Sequence, residues 1–406
     1  KTNFGSIYNY IRYKNGSIID NNYNYGLTNF WGGIVQTFDD DCLKKINSKD
    51  LFKNYEIISK NLPITKLNSC LNHNVDNRFS NQNKIRISQI IEKLSNHLMN
   101  TQNDSCLHST AQVALYNNNQ TNKCIACKEC FHGCLTNSIF QTKFFFENNK
   151  QIKIIRENIK KIDLDKKIVF LNQDELTFDK IFINFGPYNS QWLLNNSMDA
   201  KNNIIKVKDS YSFIFPVFYT GKLGSNDDFF GLTNYIISLK EKNKDLTTMQ
   251  IYPPNKYLIR KFLPSKLIKM DNLIYSQIFR RLIFVKCYSS NDDAIIKEFL
   301  PKSNQYINKN YMRNLNHEFE KKIYSKFSQL IKNQKNFIPL KFFHRPETSS
   351  HYSGYNYFSD RDIYDFSSKQ VFKDIYLNDS TLWDFIPSYS PTFSIMAYAN
   401  KFASEI

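Results

Sequence analysis

The chain has 406 residues, a formal charge of +17, 41% hydrophobic residues and 15% aromatic ones. That length and apolar share allow a large buried core and two lobes or more, and they exclude a disordered chain. Lys, Asn and Ile are enriched almost everywhere and short basic groups such as 159–167 are interleaved with acids, so no binding face concentrates the charge. No nucleic-acid-binding motif accompanies it, and nucleic acid is not an expected partner.

The opening third is loop-rich, with Asn and Gly clusters around 15–33 and a polar stretch at 68–83. Its clearest signal is YGLTNFWGG, Tyr25 to Gly33, where glycines flank a small hydroxyl, an amide and a Trp. Such a backbone can come close to a large planar or phosphorylated ligand, although a Gly-rich turn is more commonly a plain turn. A helix is expected over Ile87–Met99, where Ile87, Ile90, Ile91, Leu94 and Leu98 share one face.

Next comes CIACKECFHGC. Cys124, Cys127, Cys130 and Cys134 have the C-x2-C-x2-C-x3-C spacing of iron–sulfur ferredoxins, with Leu135 where Pro usually follows. In two-cluster ferredoxins the fourth Cys of such a run serves the other cluster, so Cys106 is a further candidate thiolate. An iron–sulfur cluster is favoured over zinc, and plain reduced thiols are the remaining alternative. Cys42, Cys70 and Cys287 have the character of ordinary buried thiols. Four of eight cysteines packed into eleven positions argue against a disulfide scaffold and for a reducing compartment, the cytoplasm.

Residues 151–186 alternate short β-type runs with polar turns and end in a buried-strand pattern at Ile181–Phe185. Gly186 and Pro187 are expected to break that strand before a helix start at Ser190–Leu194, a strand–Gly–turn–helix unit of the kind that lines a dinucleotide crevice. Residues from about 202 to 340 carry aromatic strands, among them Tyr211–Tyr219 and Leu282–Cys287, and two expected helices, Asp292–Phe299 and His317–Lys332. No apolar run approaches the ~18 residues that span a bilayer. The loop SSHYSG holds His351; a lone His is more often structural than catalytic, but its near-neutral pKa suits proton transfer. At the C-terminus Ser390 is expected to cap a helix with Pro391 in its first turn and Thr392 following. Ile395, Met396, Ala399, Phe402 and Ala403 recur there at helical spacing, and the helix N-terminus would favour an anion.

In this order the pieces resemble the glucose–methanol–choline (GMC) oxidoreductases, flavoproteins that oxidise a CH–OH group. YGLTNFWGG is similar to that family's Gly-Gly-Ser/Thr…Trp/Asn-Gly segment. KIFINFGPYNSQWLLNNS resembles its strand, Ala-Gly, Leu-Leu, Ser stretch, and SSHYSG its His-x-x-Gly loop. The final stretch from Ile375 resembles its Asp-x-Ser…Pro-Thr…Ala-x-Ala signature, with Asn378 where the Asp aligns and Asp379 one place later. Residues 200–340 add almost nothing to the likeness.

The resemblance implies an α/β fold: an FAD-binding Rossmann-like lobe (residues 1–200 and 342–406, with a cysteine-rich loop at 120–140) and an α+β substrate-binding lobe (201–341) with an antiparallel sheet. FAD would be held by Gly26, Thr28, Asn29, Trp31, Gly32, Gly33, Gly186, Asp379, Ser380, Pro391 and Thr392. His351 would be the catalytic base, with His344 as a fallback and Ser390 where the family usually has a second His or Asn. The implied reaction is hydride transfer from an alcohol, sugar or polyol to FAD. A cluster near flavin would pass electrons to a protein or quinone acceptor rather than to oxygen. The family's opening Gly-x-Gly-x-x-Gly unit has no counterpart, so a βαβ unit of ~30 residues or more is expected to be missing before Lys1. The competing readings are a basic binding module stapled by a zinc or iron–sulfur site, and a degenerate, non-catalytic homologue.

Overall fold

A computed structural model describes residues 10–13, 16–19, 31–46, 48, 50–67, 85–100, 106–116, 122–147, 149–198, 204–224, 229–241, 244–262, 277–289, 294–300, 305–307, 313–346, 349, 351–355 and 370–406. It is a mixed α/β fold built on one large antiparallel sheet. That sheet runs, in spatial order, Phe337–Pro339, Ser212–Tyr219, Leu282–Tyr288, Lys244–Tyr252, Tyr235–Glu241 and Cys106–Thr110. The aromatic runs expected to be strands are therefore its centre, and its outer edge comes from the chain's first third.

Alternation along these strands gives the sheet two unlike faces. On one, Phe213, Phe215, Val217, Ile283, Val285, Cys287, Met249 and Ile251 are all buried. This face packs against the helices Gln89–Asn100 and Arg313–Leu330: Phe213 meets Phe319 edge-on at 5.9 Å, and Phe215 meets Phe327 at 5.3 Å. On the other face the register aligns Ser212, Tyr288, Thr248 and Ser238, and in the next row Ile214, Lys286, Gln250 and Ile236. Ser212, Tyr288, Thr248 and Gln250 are buried too. A polar face that is nonetheless covered is unusual, because burying such groups costs free energy unless something meets them.

A second sheet of four strands, Gln305–Ile307, Ile295–Leu300, Ile205–Asp209 and Tyr352–Gly354, stands beside the first. It corrects one expectation. Of the helix expected over Asp292–Phe299, the described part is a strand instead: Ile295–Leu300 pairs antiparallel with both Ile205–Asp209 and Gln305–Ile307. The apolar spacing of AIIKEF fits either structure, and two available ladder partners decide it.

The third sheet holds the only parallel pairing among the described residues, Ile181–Ile183 beside Ile375–Leu377. The first strand leads through Gly186, at φ +79°, into the helix Gly186–Ser197. Gly186 and Pro187 thus open this helix rather than preceding it, since Pro is tolerated in a first turn. The second strand leads through a short turn to the C-terminal helix Thr392–Glu405, which packs on the helix Phe52–Asn61 through stacked Phe393 and Tyr55 rings (5.1 Å) and a Tyr55–Ser394 hydroxyl contact (2.7 Å). Two details differ from expectation. Pro391 stands at the cap position and no side chain caps the helix, so Ser390 is not the cap. The buried stripe is Phe393, Ser394, Ala397, Tyr398 and Phe402, while Ala403 is exposed, because Phe393 and Tyr398 offer more area to bury than the alanines.

Candidate functional site

Helices that follow parallel strands point their N-termini into the crevice at the strands' carboxyl ends, where ligands of open α/β sheets bind. Here that crevice is closed by Asp379. Its Oδ2 accepts from the Gly186 N–H (2.8 Å) and the Ser190 hydroxyl (2.6 Å), and its Oδ1 accepts from the Thr381 N–H (2.8 Å). Burial pushes this carboxyl above its ordinary pKa, and the three bonds pull back. Asp379 is thus committed to the chain's own groups, joining both halves of the parallel pair. Ser380 begins the turn Ser380–Leu382, which Gly354 approaches so closely that a Cβ would lie 2.0 Å from the Thr381 carbonyl oxygen. The glycine of the His-x-x-Gly loop is therefore required by backbone packing.

Around this contact, Ser353 Oγ, Thr381 Oγ1 and Trp383 Nε1 are buried with no hydrogen-bond partner among the described residues. Buried polar atoms are seldom left so. A polar, multi-hydroxyl ligand such as the ribityl chain of a flavin would supply what they lack, so the residues present fit the cofactor that the sequence resemblance implies.

The remaining candidates fall into two groups. Trp31 donates its indole N–H to the Phe140 carbonyl (2.7 Å). Gly33, at φ +69°, accepts from the Ala114 N–H (2.7 Å), and Gly32 adjoins Ile34 and Leu232. Gln36 Oε1 then accepts from the Ser390 N–H (3.2 Å), and the Asp39 N–H donates to the Tyr389 hydroxyl (3.0 Å). Trp31's segment and the Ser390–Thr392 helix start are so brought together. Gly26, Thr28 and Asn29, like Cys70 and the polar stretch at 68–83, lie outside the described residues.

His351 belongs to the polar sheet face. Its ring stacks on Tyr288 at 4.6 Å and 14°, and its Nδ1 is buried without a partner. Its backbone is pinned on both sides: its N–H donates to Ser349 Oγ (2.9 Å) and its carbonyl accepts from the Ser210 N–H (3.3 Å). Ser349 in turn donates from hydroxyl and N–H to Asp209, whose second oxygen meets Lys297 at 2.6 Å. Burial, aided by nearby Lys286, pushes the His351 imidazole down to about 3, so it is neutral at ordinary pH. His344, the fallback, exchanges backbone hydrogen bonds with Ile214 (2.9 Å each way) and is also pushed down by burial. The face reaches the helix start through Thr248, whose hydroxyl shares a 2.9 Å hydrogen bond with Ser388.

Sequence reasoning missed Lys286, Tyr288, Ser353, Thr381 and Trp383. The signal for Lys286 was present: it breaks the apolar run LIFVKCY at an alternate position, which in a doubly paired strand marks a face needing a polar residue.

In the cysteine loop the backbone takes positive φ at Ala126, Lys128, Gly133 and Asn137. Cys134 Sγ accepts from the Ser138 N–H (3.1 Å) and shares a hydrogen bond with its hydroxyl (3.0 Å). Burial raises this thiol, but the bonds from Ser138, Ile139 and Thr136 outweigh it and hold the pKa below its ordinary value. Cys130 is pushed up to about 12 by burial and then by the other three thiols. Among the described residues no group of three or more His, Cys, Asp or Glu side chains is placed to hold a metal ion, so neither the expected iron–sulfur cluster at Cys124, Cys127, Cys130 and Cys134 nor a zinc staple finds support. Nor is any described helix long and apolar enough to cross a membrane.

No family model matches the chain, and no curated protein matches it. Among solved structures, pyridoxine 4-oxidase from Mesorbium loti is similar with a TM-score of 0.47 and 9% sequence identity, over 88% of this chain and 69% of that chain.

Proposed function

We propose that the protein is a flavin-dependent oxidoreductase acting on a CH–OH donor, an alcohol, sugar or polyol. The observation that carries this is His351: a neutral imidazole with a buried, unpartnered Nδ1, stacked on Tyr288 and one residue before the strand Tyr352–Gly354, whose Gly354 lies against the Thr381 carbonyl. The motifs that resemble the GMC family supply the cofactor's identity. Residues 1–200 and 342–406 would form the cofactor lobe. Residues 201–341 would form the substrate lobe, its sheet closed by the 106–110 strand. Ser353, Thr381 and Trp383 would bond FAD beside Ser380, and the helix start after Pro391 would present backbone N–H groups to it from Thr392 onward. When bound, FAD supplies the two-electron acceptor for a hydride leaving carbon. His351 Nδ1 takes the hydroxyl proton of that same carbon, which becomes a carbonyl. Stacking on Tyr288 and the backbone bonds to Ser349 and Ser210 hold the ring in place for this transfer. Seven free thiols among the described residues agree with a reducing compartment such as the cytoplasm.

A second reading concerns the cysteine run. A cluster of several irons holds its thiolates farther apart than a single ion does, and hydrogen bonds onto sulfur like those on Cys134 tune such clusters. Cys124, Cys127, Cys130 and Cys134 would then ligate one iron–sulfur cluster and export electrons to a protein or quinone. Iron and acid-labile sulfide in anaerobically purified protein test this directly, and iron-free protein overturns it.

For the main reading, the full-length protein is purified with added FAD and its spectrum recorded before and after a panel of alcohols and sugars. Paired flavin bands that bleach with a donor are expected. The variant His351→Ala should keep the flavin and lose about 10²–10⁴-fold in kcat. Protein that retains no flavin overturns the reading.

A further inference from the structure

Lysine is seldom placed inside a sheet. Lys286 sits in the middle of Leu282–Tyr288, a strand paired on both sides, opposite Ile214 on one neighbour and Gln250 on the other. It has no open sheet edge along which to reach solvent, and it is half-buried. Its Nζ lies 4.6 Å from the centre of the Tyr288 ring, the same ring on which His351 stacks.

The carboxylate whose charge reaches Lys286 is Asp209, and Asp209 is already occupied by Lys297 and by both donors of Ser349. No carboxylate among the described residues pairs with Lys286. The other groups around it are the phenols of Tyr252 and Tyr257 and the imidazoles of His344 and His351. Two lysines against one aspartate, with neutral histidines, leave an excess positive charge inside the fold. The cation–π contact recovers only a small part of what desolvating an ammonium costs. Burial accordingly pushes the Lys286 pKa down.

Two further groups on this face have no partner among the described residues: His351 Nδ1, against the Tyr288 ring, and Ser212 Oγ, directly opposite Tyr288 in the register. An ammonium, a hydroxyl and an imidazole thus surround one tyrosine ring, each with bonding capacity that the protein leaves unused.

We propose that Lys286 is an anion anchor, so that the alcohol oxidised at His351 carries a carboxylate or phosphate group held by Lys286 and Ser212. The substrate class is then a hydroxy acid or sugar acid, or a sugar phosphate, rather than a neutral alcohol. This rests on the oxidoreductase reading, since it is His351 that defines the reacting end. Lys286 is a specificity-determining residue: it fixes the charged end of the molecule and leaves the hydroxyl at the imidazole.

The test uses the full-length protein with FAD added and its visible spectrum recorded. Acetate and phosphate are titrated calorimetrically at constant ionic strength against wild type, Lys286→Met and Lys286→Arg. Wild type is expected to bind one of the two anions at one site, the one preferred separating the carboxylate from the phosphate class. Affinity should fall about tenfold to a hundredfold in Lys286→Met and be largely kept in Lys286→Arg, as for loss of a charge-assisted bond. Wild type that binds neither anion, or binds them no better than Lys286→Met, overturns the anchor. Flavin-loaded protein without Lys286-dependent anion binding removes the anchor and keeps the oxidoreductase. Lys286-dependent anion binding in protein that takes up no flavin does the reverse.

Discussion

The carboxylate of Asp379 lies 2.8 Å from the backbone amide of Gly186, 193 positions earlier in the chain, and with the Ser190 hydroxyl bond it ties together the ends of the two parallel strands. Removing the side chain leaves three donors without this acceptor, those of half-buried Gly186 and of buried Ser190 and Thr381. Asp379→Ala should therefore cost about 2–4 kcal/mol in urea unfolding, and Asp379→Asn, which keeps one acceptor oxygen, clearly less. Equal losses in the two variants would mean that the carboxylate's bonds do not set the cost.

Gly354 offers a purely steric test. Its missing Cβ leaves room for the Thr381 carbonyl oxygen, which would otherwise lie 2.0 Å away in backbone that cannot rotate aside. Gly354→Ala should destabilise by about 3 kcal/mol or more, or prevent folding. Gly32→Ala, with nothing nearer than 3.9 Å, is the matched control and should melt close to wild type.

His351 makes stability depend on pH. The folded imidazole titrates at about 3 and the unfolded one near 6.5. Below 6.5 the unfolded chain takes up a proton that the folded protein refuses. The His351 contribution is thus intact above that pH and declines as pH falls towards 3, by at most about 1.4 kcal/mol per pH unit. The groups facing the ring are Lys286 and Tyr288. His351→Gln should flatten the curve of urea midpoint against pH between 6 and 4. An unchanged slope would show the ring to be protonated as readily in the fold as out of it.

Gly231 governs the cysteine loop from outside. A Cβ there would stand 2.8 Å from Lys128 Cα, and the Gly231 backbone bonds to Cys130. Gly231→Ala should push the loop outward and raise the rate at which Cys130 reacts with a thiol reagent several-fold, without unfolding the sheet. Labelling rates equal to wild type would place Gly231 outside the loop's support.

Much of the scaffold is legible in the sequence. The strand at Ile181–Ile183 is an apolar run ended by a glycine, and the Gln89–Asn100 and Arg313–Leu330 helices carry one-sided apolar spacing. What was hidden depends on partners distant in sequence. Cys106–Thr110 becomes a sheet edge only because Tyr235–Glu241 lies beside it, and Ile295–Leu300 is a strand rather than a helix for the same reason. In the site, His351 and Asp379 were visible as residue types, but their environments were not. That Asp379 serves the backbone, and that Lys286 stands over the ring beneath His351, follows from register and stacking that no local pattern encodes.

The two-faced sheet has a consequence for how this protein tolerates change. Cys287 and Tyr288 are chain neighbours, yet one points into the helix-packed interior and the other carries His351. Mutational effects over Val285–Tyr288 should therefore alternate: Val285 and Cys287 set the melting temperature, and Lys286 and Tyr288 answer to the proposed anion anchor, while Phe284, wholly buried, belongs with the core. Selection could change the proposed anchor at half-buried Lys286 while the helix-packed side of the same strand stays untouched.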